Sequence, residues 1–108
     1  MKVEQLKLYN KYKHIDNPNI EYIYVGIDNQ NKYWFLYKSK DFNLWFSTLK
    51  DYGLDPDKIV KDLNLEICFN EYGEKYIKGY YFTFCTKEEF EIYFKPILKD
   101  KLNNIINR

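Results

Sequence analysis

The residue types that most often carry catalysis are scarce in this sequence. His14 is the only histidine and lies among lysines, which favours a solvated side chain over a general base. Cys68 and Cys85 are far apart and belong to no CxxC pair, so the sequence gives metal binding no support. The four glycines form neither a GxGxxG nor a GxxxxGK pattern that would hold a phosphate. We therefore predict no catalytic residue, no metal site and no cofactor, and we expect that the chain is not an enzyme.

Two groups of acidic residues are explained by local structure rather than by metal binding or catalysis. Residues 28–31 begin like a calcium loop, but the glutamate that an EF-hand requires eleven positions after Asp28 is absent. Glu88, Glu89 and Glu91 fall in the first turns of a predicted helix, where the helix dipole favours carboxylates. We therefore interpret both groups as turn and helix-start residues.

The charge distribution gives the chain basic ends and an acidic middle region, although the net charge is +1. Residues 1–14 and residues 95–108 each carry four cationic side chains and one carboxylate, whereas residues 15–94 carry nine lysines and fourteen carboxylates. These charges are either ordinary solvated side chains or a binding surface, and an acidic surface would favour a protein partner with a basic surface over nucleic acid. No apolar stretch approaches the ~20 residues that cross a bilayer, and no signal peptide is recognised, so we expect a cytoplasmic protein without a membrane partner.

Length and composition suggest one domain from an AT-rich genome. The chain has 108 residues, which fits a single domain with its own core. It has no alanine and one arginine beside sixteen lysines, and it is rich in Asn, Ile, Tyr and Phe, whose codons are rich in A and T. This bias suggests a bacterium or a phage as the source.

Periodicity predicts an N-terminal helix followed by a β-hairpin. Apolar side chains recur every three positions within residues 2–13, which predicts a helix. Residues 20–27 and 33–39 alternate and are rich in β-branched and aromatic residues, which predicts two strands. A five-residue loop between them would place Ile27 opposite Tyr33.

Two helices are predicted after the hairpin. Residues 41–52 carry apolar side chains at helical spacing, after a cap at Ser39 or Asp41. Asp55 is a good cap for a second, short helix that begins with Pro56 and runs to about residue 63.

A second strand-strand-helix unit follows. Residues 65–69 and 75–85 are predicted strands, with a bulge at Gly79. Thr86 and Glu89 have the spacing of a capping box and predict the start of the final helix.

The two units resemble each other. The final helix is predicted to continue past Pro96 with a kink. Residues 34–51 and 81–100 align when two gaps are allowed, which suggests an internal ββα duplication over about 20–63 and 64–106. The predicted fold class is therefore α+β, as a single domain over residues 1–108. In it, an N-terminal helix and two strand-strand-helix units form a two-layer structure with a four-stranded antiparallel sheet packed on helices.

Alternation along the strands divides the aromatic residues into core and surface candidates. Those predicted to lie between sheet and helices are Phe35, Tyr37, Phe42, Phe46, Phe82, Phe84, Phe90 and Phe94. Those predicted for the opposite sheet face are Tyr22, Tyr24, Trp34 and Tyr81. Either the N-terminal helix covers that opposite face, or the face is an exposed binding surface.

These observations favour a small non-catalytic protein-binding module, such as an immunity or anti-defence inhibitor. The predicted binding residues are Tyr22, Tyr24, Trp34, Tyr81, Asp51, Asp55, Asp57 and Asp62. One alternative is a single-stranded nucleic-acid-binding protein, with the sheet aromatics as stacking platforms and the basic termini on phosphates. Another is an enzyme of unrecognised type. A homodimer joined through sheet edges or the aromatic face is a further alternative.

Overall fold

The computed structural model describes residues 2, 4 and 6–97, which form one antiparallel sheet with helices on both faces. The elements in chain order are β1 (Lys11–His14), β2 (Asn17–Ile27), β3 (Tyr33–Trp45), α1 (Phe46–Asp51), α2 (Pro56–Leu63), β4 (Ile67–Phe69), β5 (Lys75–Cys85), α3 (Lys87–Tyr93) and β6 (Phe94–Pro96). The strand order across the sheet is β4-β5-β3-β2-β1-β6, and every neighbouring pair is antiparallel. Within the described residues no helix is long and apolar enough to cross a membrane.

Each face of the sheet has its own hydrophobic core. The core under α1 and α2 is formed by Val25, Trp34, Leu36, Leu44, Phe46, Leu49, Ile59, Val60 and Ile77. The core under α3 is formed by Tyr12, Tyr22, Tyr24, Phe35, Cys85, Phe90 and Phe94. Neighbouring residues of β3 belong to different cores, because successive side chains of a strand point to opposite faces.

The predicted fold class is wrong in strand number and in layering. The sheet has six strands rather than four, and helices on both of its faces make three layers rather than two. The two additional strands, β1 and β6, are short and lie side by side at one edge, where His14 is in register with Phe94. The internal duplication remains a prediction.

The predicted N-terminal helix is also wrong. Residues 11–14 form β1, and Tyr9 before it has a positive φ of 68°, which the interior of a right-handed helix does not contain. Tyr12 is buried between exposed Lys11 and Lys13, which is the alternation of a strand. The three-residue spacing fitted a helix by coincidence, and the pairing of Tyr12 with Tyr22 in β2 determined the structure.

The helix predicted over residues 41–52 begins later than expected. Strand β3 continues to Trp45, and only residues 46–51 are helical. Residues 43–45 pair with residues 76–78 of β5, and this long-range pairing prevails over the local helical spacing.

The final helix is shorter than expected. Helix α3 ends at Tyr93, and Pro96 lies in the edge strand β6 instead of kinking a helix. Proline is tolerated there because an edge strand need not donate every amide. The rest of the predicted helix, from residue 98, lies outside the described residues.

Several local predictions are confirmed. Ile27 is in register with Tyr33, and β5 spans residues 75–85 with an irregularity at Gly79, whose φ is +76°. The side chain of Asp55 accepts the amide of Lys58 at the start of α2. The capping box of α3 is present, with Thr86 and Glu89 bonded to each other's amides.

A β-bulge in β2 changes which residues of β2 share a sheet face with Trp34. Tyr24 is in register with Phe35 and Gly26 with Trp34, so Val25 is an extra residue. Gly26 has a φ of +125°, a conformation that residues with a Cβ rarely adopt. Because of this extra residue, Trp34 shares a face with Val25 and not with Tyr24.

The buried carboxylate of Asp28 connects the β2–β3 turn to the core. Its Oδ2 accepts the indole Nε1–H of Trp34 at 2.7 Å, and its Oδ1 accepts the amides of Gln30 and Lys32 at 2.8 and 2.9 Å. Burial alone would raise the pKa of Asp28, but the hydrogen bonds from Lys32, Trp34 and Gln30 outweigh it and lower the pKa below its ordinary value of 3.8.

We expect Asp28→Ala to lower the free energy of unfolding by about 2 to 3 kcal/mol, because it leaves three donors without their acceptor. Urea unfolding followed by tryptophan fluorescence measures this loss. The isosteric Asp28→Asn keeps one acceptor oxygen and should lose less. Equal losses for the two variants would contradict the proposed role of the hydrogen bonds.

The same carboxylate makes stability depend on pH. Because its pKa is lower in the folded state, Asp28 stabilises the fold fully above pH 3.8, and this contribution is lost as pH falls toward the folded pKa. The stability difference between the wild type and Asp28→Asn should therefore shrink as pH falls below 3.8. A constant difference in urea midpoints across that range would argue against this assignment.

Candidate aromatic binding surface

Tyrosines from four strands lie in one line across the face that α3 partly covers. Tyr12 of β1 is in register with Tyr22 of β2, and Tyr37 of β3 with Tyr81 of β5. The rings of Tyr22 and Tyr37 are 5.3 Å apart, which joins the two pairs. Phe42 extends the line, with its ring 4.6 Å from that of Tyr81. We name Tyr22, Tyr37, Tyr81 and Phe42 the aromatic row.

The aromatic row becomes more exposed with distance from α3. Tyr22 is only 6% exposed because Phe94 packs against it, with ring centroids 5.5 Å apart. Tyr37 and Tyr81 are half-buried, and Phe42 is 48% exposed. The row is therefore anchored in the core at one end and open to solvent at the other.

An irregularity in β3 places Phe42 at the open end. Lys38 is in register with Tyr80 and Asn43 with Lys78, so residues 39–42 lie opposite the single residue Gly79. The extra residues interrupt the alternation of β3. Phe42 consequently lies against Tyr81 rather than in a core.

A groove of about 370 Å³ runs beside α3 at the buried end of the row. It is lined by His14, Asp16, Asn17, Tyr22, Thr83, Phe84, Cys85, Glu89, Tyr93 and Phe94. The His14 ring stacks on Tyr93 at 5.4 Å and meets the edge of Phe94 at 5.0 Å. Aromatic packing therefore holds the histidine in the wall of the groove.

The hydroxyls of Tyr22 and Tyr37 remain protonated at neutral pH. Burial raises the pKa of Tyr22 above 10, Tyr37 raises it further, and a hydrogen bond with Asn17 lowers it. Burial and then Tyr81 raise the pKa of Tyr37 in the same way. The row thus offers apolar ring surface together with hydroxyl groups that both donate and accept hydrogen bonds.

The groups around the groove are poorly arranged for nucleophilic catalysis. Burial, and secondly the charge of Glu89, raises the pKa of the Cys85 thiol to about 12, so the thiolate is rare at neutral pH. His14 uses its Nδ1 to accept the amide of Asp16 at 3.0 Å. Among the described residues no group of three His, Cys, Asp or Glu side chains could hold a metal ion.

Only two of the four predicted aromatic residues belong to this surface. Tyr22 and Tyr81 are in the row, whereas Tyr24 is buried against Phe35 under α3. Trp34 is 0% exposed and lies on the other face, stacked on Phe82 at 4.5 Å. The expectation that Trp34 shares a face with Tyr22 and Tyr24 is wrong because the bulge at Val25 shifts the register.

The four predicted acidic residues lie along α1 and α2, where lysines accompany them. Asp51 is exposed at the end of α1, and Asp55 caps α2. Asp57 lies 3.9 Å from the Lys75 ammonium. Asp62 pairs with Lys58 at 2.6 Å and also accepts the hydroxyl of Tyr9 at 2.7 Å. These carboxylates do not form an uncompensated acidic patch.

Sequence reasoning assigned Tyr37 and Phe42 to the core instead of this surface. The bulge predicted at Gly79 was a usable signal, since a bulge in β5 implies an irregular segment opposite it in β3. Tyr37 had no such signal, because its register with Tyr81 depends on long-range pairing of β3 with β5.

Comparisons of the chain with protein-family models, with curated proteins and with solved structures find no match.

The two thiols should differ strongly in reactivity. Cys85 is buried with a pKa of about 12, whereas Cys68 is partly exposed. We expect a disulfide reagent such as DTNB at pH 8 to modify one thiol quickly in the folded protein, and both in denaturant.

Cys68→Ser serves as the matched variant and should abolish the fast reaction. A fast reaction that persists in this variant would mean that Cys85 is accessible, and it would reopen the question of a nucleophile in the groove.

Proposed function

We propose that this chain is a small protein-binding module without a catalytic role, and that the aromatic row is its contact surface. The observation that carries the proposal is the open end of the row, where Tyr37, Tyr81 and Phe42 form continuous aromatic surface. Isolated exposed apolar residues are ordinary, but a connected group marks an interaction site.

Tyrosine is well suited to such a surface. Its ring supplies apolar contact area at a small cost in side-chain entropy, and its hydroxyl offers a hydrogen bond to the partner. Tyr22 anchors the row through Phe94, so Tyr37 and Tyr81 are held in place before binding. Preorganised aromatic side chains of this kind contribute most of the binding energy in many interfaces.

The charges near the groove favour a partner with a basic surface. Glu88 and Glu89 lie in the first turn of α3, and Asp16 lines the groove with Glu89. Hydrogen bonds with Thr86 lower the pKa of Glu89, which keeps it ionised. Carboxylates beside an aromatic surface attract lysine and arginine, which also bind to aromatic rings.

A narrower proposal is an immunity or anti-defence inhibitor from an AT-rich bacterium or phage. Its support is the codon bias, the small size of the chain and the acidic middle region. The free thiols of Cys68 and Cys85 fit a reducing compartment such as the cytoplasm. Binding of single-stranded nucleic acid loses support, because the buried rings of Tyr24 and Trp34 cannot stack on bases.

The test begins with capture of a stoichiometric protein partner from an extract of the native host. The dissociation constant is then measured by calorimetry for the wild type and for Tyr81→Ala and Phe42→Ser. We expect at least tenfold weaker binding for each variant, because each removes ring surface at the open end of the row. A basic partner should also bind more weakly as the salt concentration rises.

Tyr72→Ser is the matched control, since Tyr72 is 80% exposed in the β4–β5 turn and lies outside the row. It should leave the dissociation constant unchanged. Circular dichroism checks that every variant is folded. A partner that binds Tyr81→Ala and Phe42→Ser as tightly as the wild type would refute the proposed surface.

A further inference from the structure

Strand β5 has one edge that is only partly paired. Strand β4 is in register with residues 75–77 of β5 and with no others. Beyond them, residues 78–85 pair with β3 on one side, and no described strand pairs with them on the other. Such an edge presents unpaired amides and carbonyls to its surroundings.

Hydrogen bonds on β2 identify which peptide groups point outward. The amide of Tyr24 donates to the Asn10 carbonyl at 3.1 Å, and its carbonyl accepts the Tyr9 amide at 2.7 Å, so Tyr24 is turned away from β3. In antiparallel strands, opposed residues either exchange hydrogen bonds or both point their peptide groups away from each other. Tyr24 and Phe35 form a pair of the second kind, so the amide and carbonyl of Phe35 point toward β5. Thr83 is opposite Phe35, and its amide and carbonyl point back toward β3. The peptide groups that face outward are therefore those of Tyr80, Phe82 and Phe84.

Most of the open edge lacks the usual protection against pairing. Exposed edges normally carry a lysine, a proline or a bulge that prevents another strand from adding. Lys78 and the irregularity at Gly79 lie at one end of this edge, and residues 80–85, YYFTFC, contain no charge, no proline and no further irregularity. Phe84 at this edge is 41% exposed.

We propose that this edge pairs with the same edge of a second copy of the chain. The two copies of β5 would run antiparallel, with the two-fold axis at Phe82 and with Tyr80 opposite the partner's Phe84. This register uses all three outward peptide groups of each copy and forms about six hydrogen bonds across the interface. The proposal concerns self-association and is independent of the aromatic row.

A second copy is favoured because the strand is neutral. In a two-fold interface each side chain meets residues of the same strand, so a charge inside the paired segment would lie near its own copy. The segment avoids this repulsion, although 31% of the residues of the chain are charged. At its end, the register places Lys78 opposite Thr86, and it stops there because Ile77 is already paired with Ile67 of β4, so like charges do not face each other.

Sedimentation velocity over a range of concentrations tests the dimer. We expect a reversible monomer–dimer equilibrium for the wild type, and at least tenfold weaker self-association for Phe84→Lys, because the lysine places a desolvated charge at the interface. Tyr72→Lys makes the same change of residue type at an exposed site outside the edge and should leave the equilibrium unchanged. A wild type that remains monomeric at millimolar concentration would overturn the proposal.

Disulfide trapping tests the register and does not depend on how well Phe84→Lys folds. In a Cys68→Ser background, Tyr80→Cys and Phe84→Cys are prepared as separate proteins. Directly opposed residues that exchange hydrogen bonds have Cα atoms about 5.5 Å apart, which a disulfide can span. A mixture of the two proteins should therefore form a covalent dimer under mild oxidation, and neither alone should do so.

The outcomes distinguish this self-pairing from a different register and from pairing with an unrelated protein. Cross-linking of Tyr80→Cys with itself, or no cross-linking in the mixture, would overturn the register centred on Phe82. If the edge instead receives a strand from an unrelated protein, the isolated chain will be monomeric in both experiments. A monomeric chain would refute the dimer but would not count against binding at the aromatic row, because Phe84 and Tyr81 lie on opposite faces of β5.

Discussion

The hydrogen bonds of the Asp28 carboxylate are the interaction on which the rest of the structure depends. Asp28 is the one charged residue among the buried residues that the structure describes, and it accepts from Trp34 and from two amides of the β2–β3 turn. A buried carboxylate without donors is costly, so the turn and the indole must adopt compatible positions. Trp34 in turn packs on Phe82 of β5 and on Tyr52 after α1. A single polar group thereby fixes the hairpin, the neighbouring strand and the end of a helix relative to one another.

The bulge at Val25 determines which residues of β2 join each core. Trp34 and Phe35 extend into separate cores because they are successive residues of β3. The extra residue in β2 places Val25 with Trp34 and Tyr24 with Phe35. Each face then buries aromatic residues and requires its own cover, which α1 and α2 provide on one side and α3 on the other. The left-handed backbone that this bulge needs is supplied by Gly26.

Predictions from the sequence succeeded where a few neighbouring residues determine the structure. The cap at Asp55, the capping box of Thr86 and Glu89, and the bounds of β5 depend on local chemistry and were correct. The strands β1 and β6 and the second half of β3 exist because distant segments pair with them, which local periodicity does not report. The candidate surface shows the same difference. Alternation along the strands identified Tyr22 and Tyr81. The position of Phe42 depends on the irregularity at residues 39–42, and the residues that share a face with Trp34 depend on the one-residue bulge in β2.

Strand β5 contributes to both proposed surfaces through different groups. Tyr81 faces the side of α3, Phe82 and Phe84 face Trp34, and the outward peptide groups lie in the plane of the sheet between them. Core packing alone does not require every residue of 79–85 to be uncharged, because Tyr80, Tyr81 and Thr83 are only half-buried and Phe84 is exposed. Lysines are accommodated at the exposed positions 75 and 78 of the same strand. Charge is thus absent from residues 79–85, which make up most of the open edge, and there an added strand would exclude water from any charge it covered. This coincidence of neutrality and an open edge distinguishes residues 79–85 from an ordinary solvated strand.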